Sequence, residues 1–183
     1  MFLNWLIQES PKPYGSWGNG SAMRVSPCAW VADSLEEAQK LAELSAIITH
    51  NHPEGVKGAL ATSDATYLAR IGASKDEIKE HVEVQYGYDL NRTVDEIRPN
   101  YKFDVSCAGC VPESIICFLE AEDFEDTIRN AVSLGGDADT QSAIAGGIAG
   151  AYWDVPDDIV DESIVRLDDF LFETFLDFDS KLL

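Results

Sequence analysis

The helical spacing of apolar residues restricts the fold of this chain more than any other feature. Apolar side chains recur every three to four residues along most of the sequence, and the sustained alternation that is typical of strands is absent. Ser34 with Glu37 and Ser74 with Glu77 have the spacing of capping boxes at helix starts. The predicted helices span residues 34–49, 58–71, 74–86, 111–119, 123–134, 140–153 and 156–178. The sequence therefore predicts an all-α fold, and 183 residues favour a single domain over residues 1–183.

Strong acidity excludes several classes of partner. Thirteen Lys and Arg against 33 Asp and Glu give a net charge of −20, which repels phosphate backbones and anionic lipid. We therefore expect no binding to nucleic-acid backbones or to membrane surfaces. No targeting or membrane-spanning segment is predicted, and four cysteines are too few for a disulfide framework, which favours a cytoplasmic location. Between residues 154 and 179, ten acids stand against Arg166 alone, which indicates a solvated helix face.

The strongest local motif is Gly135-Gly136-Asp137-Ala138-Asp139-Thr140, which leads directly into a predicted helix. Two carboxylates at positions i and i+2 beside a hydroxyl form a compact set of the oxygen donors that Mg²⁺ prefers. The two glycines allow a tight turn that brings these side chains together. The alternative is that one of the acids simply caps the following helix.

A second motif is the glycine-rich segment from Gly15 to Arg24. Glycines interleaved with Ser and Asn can expose successive backbone N–H groups, an arrangement that holds phosphate. Trp17 is a candidate stacking surface, and Arg24 could add a charged fork or tie loops together. An ordinary glycine-rich loop between helices is the alternative. The segment is neither a P-loop nor a dinucleotide fingerprint, because it lacks Gly-Lys-Ser/Thr and follows no strand.

Two further clusters contain side chains that could bind a metal. The segment from Thr49 to Glu54 contains His50 and His52, whose spacing does not suit a helical zinc site, and a histidine that caps the preceding helix is the alternative. Cys107 and Cys110 lack a second cysteine pair, so we interpret them as small buried or loop cysteines.

Taken in order along the chain, these motifs resemble the ADP-ribosylglycohydrolase family, the dinitrogenase-reductase-activating and ADP-ribosyl-acceptor hydrolase type. Residues 16–24 are similar to its substrate loop, and residues 49–53 to the helix-end segment that follows. Residues 135–140, with 143–146 and 150–152, are similar to its carboxy-terminal metal motif. The resemblance implies an all-α orthogonal helical bundle around Mg²⁺ or Mn²⁺ ions. It also implies hydrolysis of the glycosidic bond between ADP-ribose and a modified acceptor, so that ADP-ribose or an ADP-ribosylated substrate is the expected partner.

The resemblance also assigns roles to individual residues. Met23 and Arg24 are expected to stabilise the loop, and the segment 103–111 to lie near the adenine. The metal ligands implied by the resemblance are Asp137, Asp139 and Thr140. The implied substrate-binding residues are Ser16, Trp17, Gly18, Asn19, Gly20, Ser21 and His50.

The sequence departs from the family at its beginning. Members normally start with a Gly-Asp helix and a Thr-Asp-Asp-Thr motif, which supply further metal ligands and usually the catalytic acid, and neither occurs here. Ser63-Asp64-Ala65-Thr66 is no substitute, because it is predicted to lie inside a helix and holds one acid. We therefore expect an amino-terminally truncated domain, the carboxy-terminal two-thirds of the usual fold, with the catalytic residue unassigned. The implied hydrolase could be complemented by a partner chain or a second copy, and the alternative is a catalytically degenerate module that binds ADP-ribose or protein.

Overall fold

A computed structural model describes residues 2–182 of the chain. Within that range, all of the helices and strands that the structure defines are helices. The helices are α1 (Phe2–Leu6), α2 (Ser26–Val31), α3 (Leu35–Ile47), α4 (Pro53–Arg70), α5 (Lys75–Tyr86), α6 (Val94–Ile97), α7 (Cys107–Glu120), α8 (Phe124–Leu134), α9 (Ala138–Tyr152), α10 (Asp157–Ile164) and α11 (Asp169–Asp179). A 3₁₀ turn covers Asn19–Ser21. The predicted all-α fold is confirmed.

Three helices form the centre of the molecule. Helices α4, α7 and α9 pack against one another, with α3 outside α4 and α8 against both α7 and α9. Helix α7 contributes seven residues to the main core cluster, including Ile115, Ile116 and Phe118, all essentially inaccessible to water. Helix α4 contributes mainly alanines, which let its neighbours approach closely. The starts of these three helices lie near the glycine-rich segment, so the core positions the candidate site.

Local capping explains several helix starts. Ser74 and Glu77 form the predicted capping box of α5, and Asp123 caps α8 by accepting from Asp126 N–H at 2.8 Å. At α3 only one of the two hydrogen bonds of the predicted capping box is present. Ser34 accepts from Glu37 N–H, but the Glu37 carboxylate accepts from Asp33 N–H instead of the serine's own amide.

Three predicted helix boundaries are wrong. Helix α4 starts at Pro53, five residues before the predicted start, because His52 caps it and proline suits the first position. Helix α7 starts at Cys107, four residues before the predicted start at residue 111, because Ser106 caps it, and Pro112 therefore lies inside the helix.

The predicted helix 156–178 is also wrong, since the chain forms two helices there. Helix α10 ends at Ile164, and Asp168 starts α11 by accepting a hydrogen bond from Leu171 N–H at 2.8 Å. Asp168 therefore acts as an N-cap within what the periodicity alone indicated to be one continuous helix.

Hydropathy adds one finding about membranes. Within residues 2–182, no helix combines the length and the apolar character needed to span a bilayer.

Candidate functional site

The glycine-rich segment is an anchored loop between two other parts of the chain. On one side, Ser16 N–H donates to Thr49 O at 3.3 Å. On the other side, Gly18 forms an antiparallel bridge with Ser106, in which Asn19 N–H donates to Val105 O at 2.8 Å. Backbone hydrogen bonds on both sides therefore hold the conformation of this segment, which distinguishes it from an ordinary surface loop.

Many polar groups of this loop already have partners inside the protein. Gly15 N–H donates to Asn51 Oδ1 at 2.8 Å, and Gly18 N–H donates to Ser16 Oγ at 3.3 Å. The buried Ser21 hydroxyl donates to Gly55 O at 2.7 Å. The expectation that successive loop amides are free for a phosphate therefore does not hold for Gly15, Ser16, Gly18 and Asn19.

The Asp137 motif is a turn that leads into α9. Gly135 and Gly136 both have φ near +70°, the left-handed region that glycine adopts without strain. Gly136 also lies against Tyr101, whose Cε1 atom would be 2.9 Å from any added Cβ, so no larger residue fits there. Asp137 occupies the N-cap position of α9, but its side chain makes no capping hydrogen bond. Helix capping therefore does not account for the Asp137 carboxylate.

One hydrogen bond joins the two predicted motifs. Asn19 Nδ2, from the glycine-rich loop, donates to Asp137 Oδ2 at 2.6 Å across 118 positions of sequence. A second contact joins the same two segments, because the Thr140 hydroxyl donates to Met23 Sδ at 3.5 Å. The structure thus brings Asn19, Asp137 and Thr140 into one site.

The Asp137 motif places oxygen donors of the type that a divalent metal ion prefers close together. Asp139 is exposed, and its Oδ1 accepts only from the neighbouring Thr140 N–H at 3.0 Å. Asp137 Oδ1 receives no hydrogen bond from any residue between 2 and 182. Free carboxylate oxygens next to a hydroxyl fit a hard divalent cation. However, the described chain contains no group of three His, Cys, Asp or Glu side chains able to hold a metal by themselves.

His50 is buried beside the loop and points into it. Its Nδ1 lies 2.7 Å from Thr49 Oγ1, and its Nε2 would be 3.2 Å from a Cβ added to Gly20. Burial lowers the pKa of His50, and the nearby positive charge of Arg24 lowers it further. A neutral imidazole held in this position can accept or donate one hydrogen bond to a ligand, depending on its tautomer.

His52, in contrast, has a capping role. Its Nδ1 accepts from Glu54 N–H at 3.2 Å and so caps the start of α4. The alternative of a histidine that closes the preceding helix is therefore wrong for His52.

A small cleft with an aromatic wall lies on the outer side of the loop. Tyr14, Ser16, Trp17, Gly18 and Val105 line it, with a volume of about 220 Å³. Trp17 is 51% exposed, so its ring is available for stacking. A larger cleft of about 800 Å³ between α6 and α8 contains none of the predicted site residues.

Sequence reasoning missed two residues that shape this region. Tyr14 lines the cleft, and its ring lies 6.4 Å from that of His50. Tyr101 packs on Gly136, and its hydroxyl donates to Gly109 O at 2.9 Å. A tyrosine directly before a Gly-Ser-Trp-Gly segment was the available signal for Tyr14. No local pattern marks Tyr101, because its role depends on a contact with a distant glycine.

The cysteines are not reactive groups here. Cys107 and Cys110 lie at the start of α7, and burial raises the pKa of each thiol to about 11. Both thiols are therefore protonated at neutral pH, and the Cys107 thiol donates to Gly18 O at 3.1 Å. This contact makes Cys107 a further anchor of the glycine-rich loop.

The Ser63–Thr66 segment lies in the middle of α4, as predicted. Asp64 is completely buried, and its Oδ2 accepts from Gln39, Tyr86 and the His81 ring. These contacts join α3, α4 and α5, which indicates a role in packing.

Comparison with known proteins identifies the family. The model of the family described as "ADP-ribosylglycohydrolase" matches residues 1–174 of this chain. Human ADP-ribosylhydrolase ARH3 is 31% identical in an alignment that covers 76% of this chain and 51% of the human protein. ADP-ribosyl-[dinitrogen reductase] glycohydrolase of Rhodospirillum rubrum is 28% identical in an alignment that covers 87% of this chain and 53% of that protein. The chain thus spans about half the length of the curated relatives that it matches.

A solved structure supports the same assignment. An "ADP-ribosylglycohydrolase-related protein complex" superposes with a TM-score of 0.74 and 25% identity. The match covers 98% of this chain and 65% of the other. Both the sequence and the helical arrangement are therefore shared, and the chain belongs to the ADP-ribosylglycohydrolase family.

Proposed function

We propose that this chain takes part in hydrolysing the glycosidic bond between ADP-ribose and a modified acceptor, with a divalent metal ion, Mg²⁺ or Mn²⁺. The observation that carries the proposal is the Asn19–Asp137 hydrogen bond, which joins the substrate-loop motif to the metal motif. Relatives such as ARH3 and the Rhodospirillum rubrum enzyme are hydrolases by name, which favours catalysis over a degenerate binding module.

Asp137, Asp139 and Thr140 would hold the cation through their oxygen atoms. Such an ion supplies positive charge that polarises oxygen atoms near the bond to be cleaved. Asn19 fixes the orientation of the Asp137 carboxylate by its hydrogen bond to Oδ2, leaving Oδ1 free to face the ion. Two ions would require about twelve oxygen positions, so water, substrate or residues from outside these three must fill the rest.

The loop and His50 would bind the ADP-ribose. The residues proposed to form the substrate site are Ser16, Trp17, Gly18, Asn19, Gly20, Ser21 and His50. His50 Nε2 would contact a hydroxyl or phosphate oxygen, and Trp17 would stack on a planar group in the adjacent cleft. Asn19 and Ser21 are tied into the protein, so they would act by shaping the loop.

Release of ADP-ribose from ADP-ribosyl-arginine and ADP-ribosyl-serine peptides, with Mg²⁺ and with chelator, tests the proposal. We expect metal-dependent release that Asp139→Ala reduces to background. Asp158→Ala, which removes an exposed acid of α10, is the matched control and should retain full release. Release unaffected by chelator or by Asp139→Ala would contradict the metal role. No release by the chain, alone or mixed with a family member's amino-terminal segment, would favour a binding module.

A further inference from the structure

Helices α10 and α11 form an arm that buries none of its own side chains. Five apolar residues share one side of α11 by helical spacing: Leu171, Phe172, Phe175, Leu176 and Phe178. Leu171, Phe175 and Leu176 remain 40–49% exposed. We call these five residues the apolar stripe. A contiguous patch of large apolar side chains on a protein surface is typical of an interaction site.

An acidic row follows one edge of the apolar stripe. Asp169, Glu173 and Asp177 lie four residues apart, so they line up along the helix. In the described part of the chain, Lys181 is the cation paired with this row, 2.5 Å from Asp177. The row and stripe together define a surface that is apolar in the middle and negative along one side.

Charge decides which occupant this surface favours. A second copy would bring an equally acidic arm against it, because residues 154–179 carry ten acids and one arginine. Anionic lipid is repelled for the same reason. A protein surface whose apolar contact area is edged by Lys or Arg gains both apolar burial and attraction to the acidic row.

We propose that α11 is a docking helix for a partner protein that presents an apolar helix face or groove edged by Lys and Arg. The apolar stripe enters the partner's apolar surface, and Asp169 and Glu173 meet its cations. This docking is independent of the ADP-ribose chemistry, because α11 carries none of the proposed site residues.

The test uses a synthetic amphipathic helix of Leu and Lys, about 18 residues long, as a probe of this chemistry. A control peptide keeps every Lys but replaces Leu with Ser, and fluorescence anisotropy measures both affinities at about 0.1 M salt. We expect the Leu peptide to bind at least about tenfold more tightly than the Ser peptide. Leu171→Ser with Phe175→Ser should abolish that difference. Val84→Ser, at an exposed apolar residue of α5, should leave it unchanged.

A second variant keeps the apolar stripe and removes charge. Asp169→Asn with Glu173→Gln should weaken binding of the Leu peptide and make it less sensitive to salt, with circular dichroism unchanged. Equal binding of the two peptides, or an undiminished difference in the Leu171→Ser/Phe175→Ser variant, would overturn the proposal. Sedimentation that shows a dimer of the wild-type chain, lost in that same variant, would assign the stripe to a second copy and also overturn it.

Discussion

Helices α7 and α11 are both rich in apolar residues at helical spacing, yet they have opposite environments. Ten of the 14 residues of α7 are buried, whereas none of the 11 residues of α11 is. Helix α7 lies among α4, α8 and α9, and its first turn also anchors the glycine-rich loop through Cys107. An apolar face therefore shows that a helix requires a neighbour, but the rest of the fold decides whether that neighbour is present.

The largest expected difference between the two helices comes from a matched pair of phenylalanine substitutions. Phe118→Ala in α7 removes a fully buried ring and should lower the free energy of unfolding by about 3–5 kcal/mol. Phe175→Ala in α11 should change it by less than about 0.5 kcal/mol, because the ring is already partly in water. Urea unfolding followed by circular dichroism measures both values. Equal losses would show that α11 is packed as tightly as α7.

A smaller effect is expected from the anchor between α4 and the loop. Ser21→Ala removes the 2.7 Å hydrogen bond to the buried Gly55 carbonyl, which should cost about 0.5–1.5 kcal/mol of unfolding free energy. Ser180→Ala is the matched control, because that exposed hydroxyl bonds only to Asp177 O, three residues away. A loss in the control as large as that in Ser21→Ala would mean that the loop anchor adds no more stability than a surface turn.

The smallest effect concerns protonation next to the loop. Burial and, secondarily, Arg24 lower the pKa of His50, so the unfolded chain binds this proton more readily than the folded chain. Stability should therefore fall as pH drops through the unfolded histidine pKa of about 6.5. Arg24→Gln removes the secondary cause, so the pKa of His50 should rise in an NMR titration and the acid loss of stability should become shallower. An unchanged pKa would place the Arg24 charge too far away to matter.

The sequence predicted most of the fold where local signals sufficed. Asp123 preceding an apolar run located α8, and Ser74 with Glu77 located α5. The sequence prediction was wrong where one residue type is compatible with two local structures. The periodicity predicts one continuous helix through Asp168, although this acid caps a new helix, and it predicts the start of α7 at residue 111, although Ser106 caps the helix and Cys107 begins it.

In the candidate site, too, the features with a local cause are predictable from the sequence and those that depend on distant contacts are not. Each motif was identifiable from residue types alone, since a Gly-Gly turn before Asp137 has a local physical reason. The meeting of Asn19 with Asp137, and the packing of Tyr101 on Gly136, depend on how distant helices pack. No window of neighbouring residues contains that information.

The 118-residue span of the Asn19–Asp137 bond also orders events during synthesis of the chain. The glycine-rich loop leaves the ribosome first, its partners at residues 49–55 follow soon after, and the 105–107 segment and finally Asp137 follow much later. Closing so long a loop costs entropy that only the packing of α4, α7 and α9 can offset. The contact that joins the two motifs therefore forms only after residue 137 has been translated, later than the anchors of the loop at residues 49–55 and 105–107 become available.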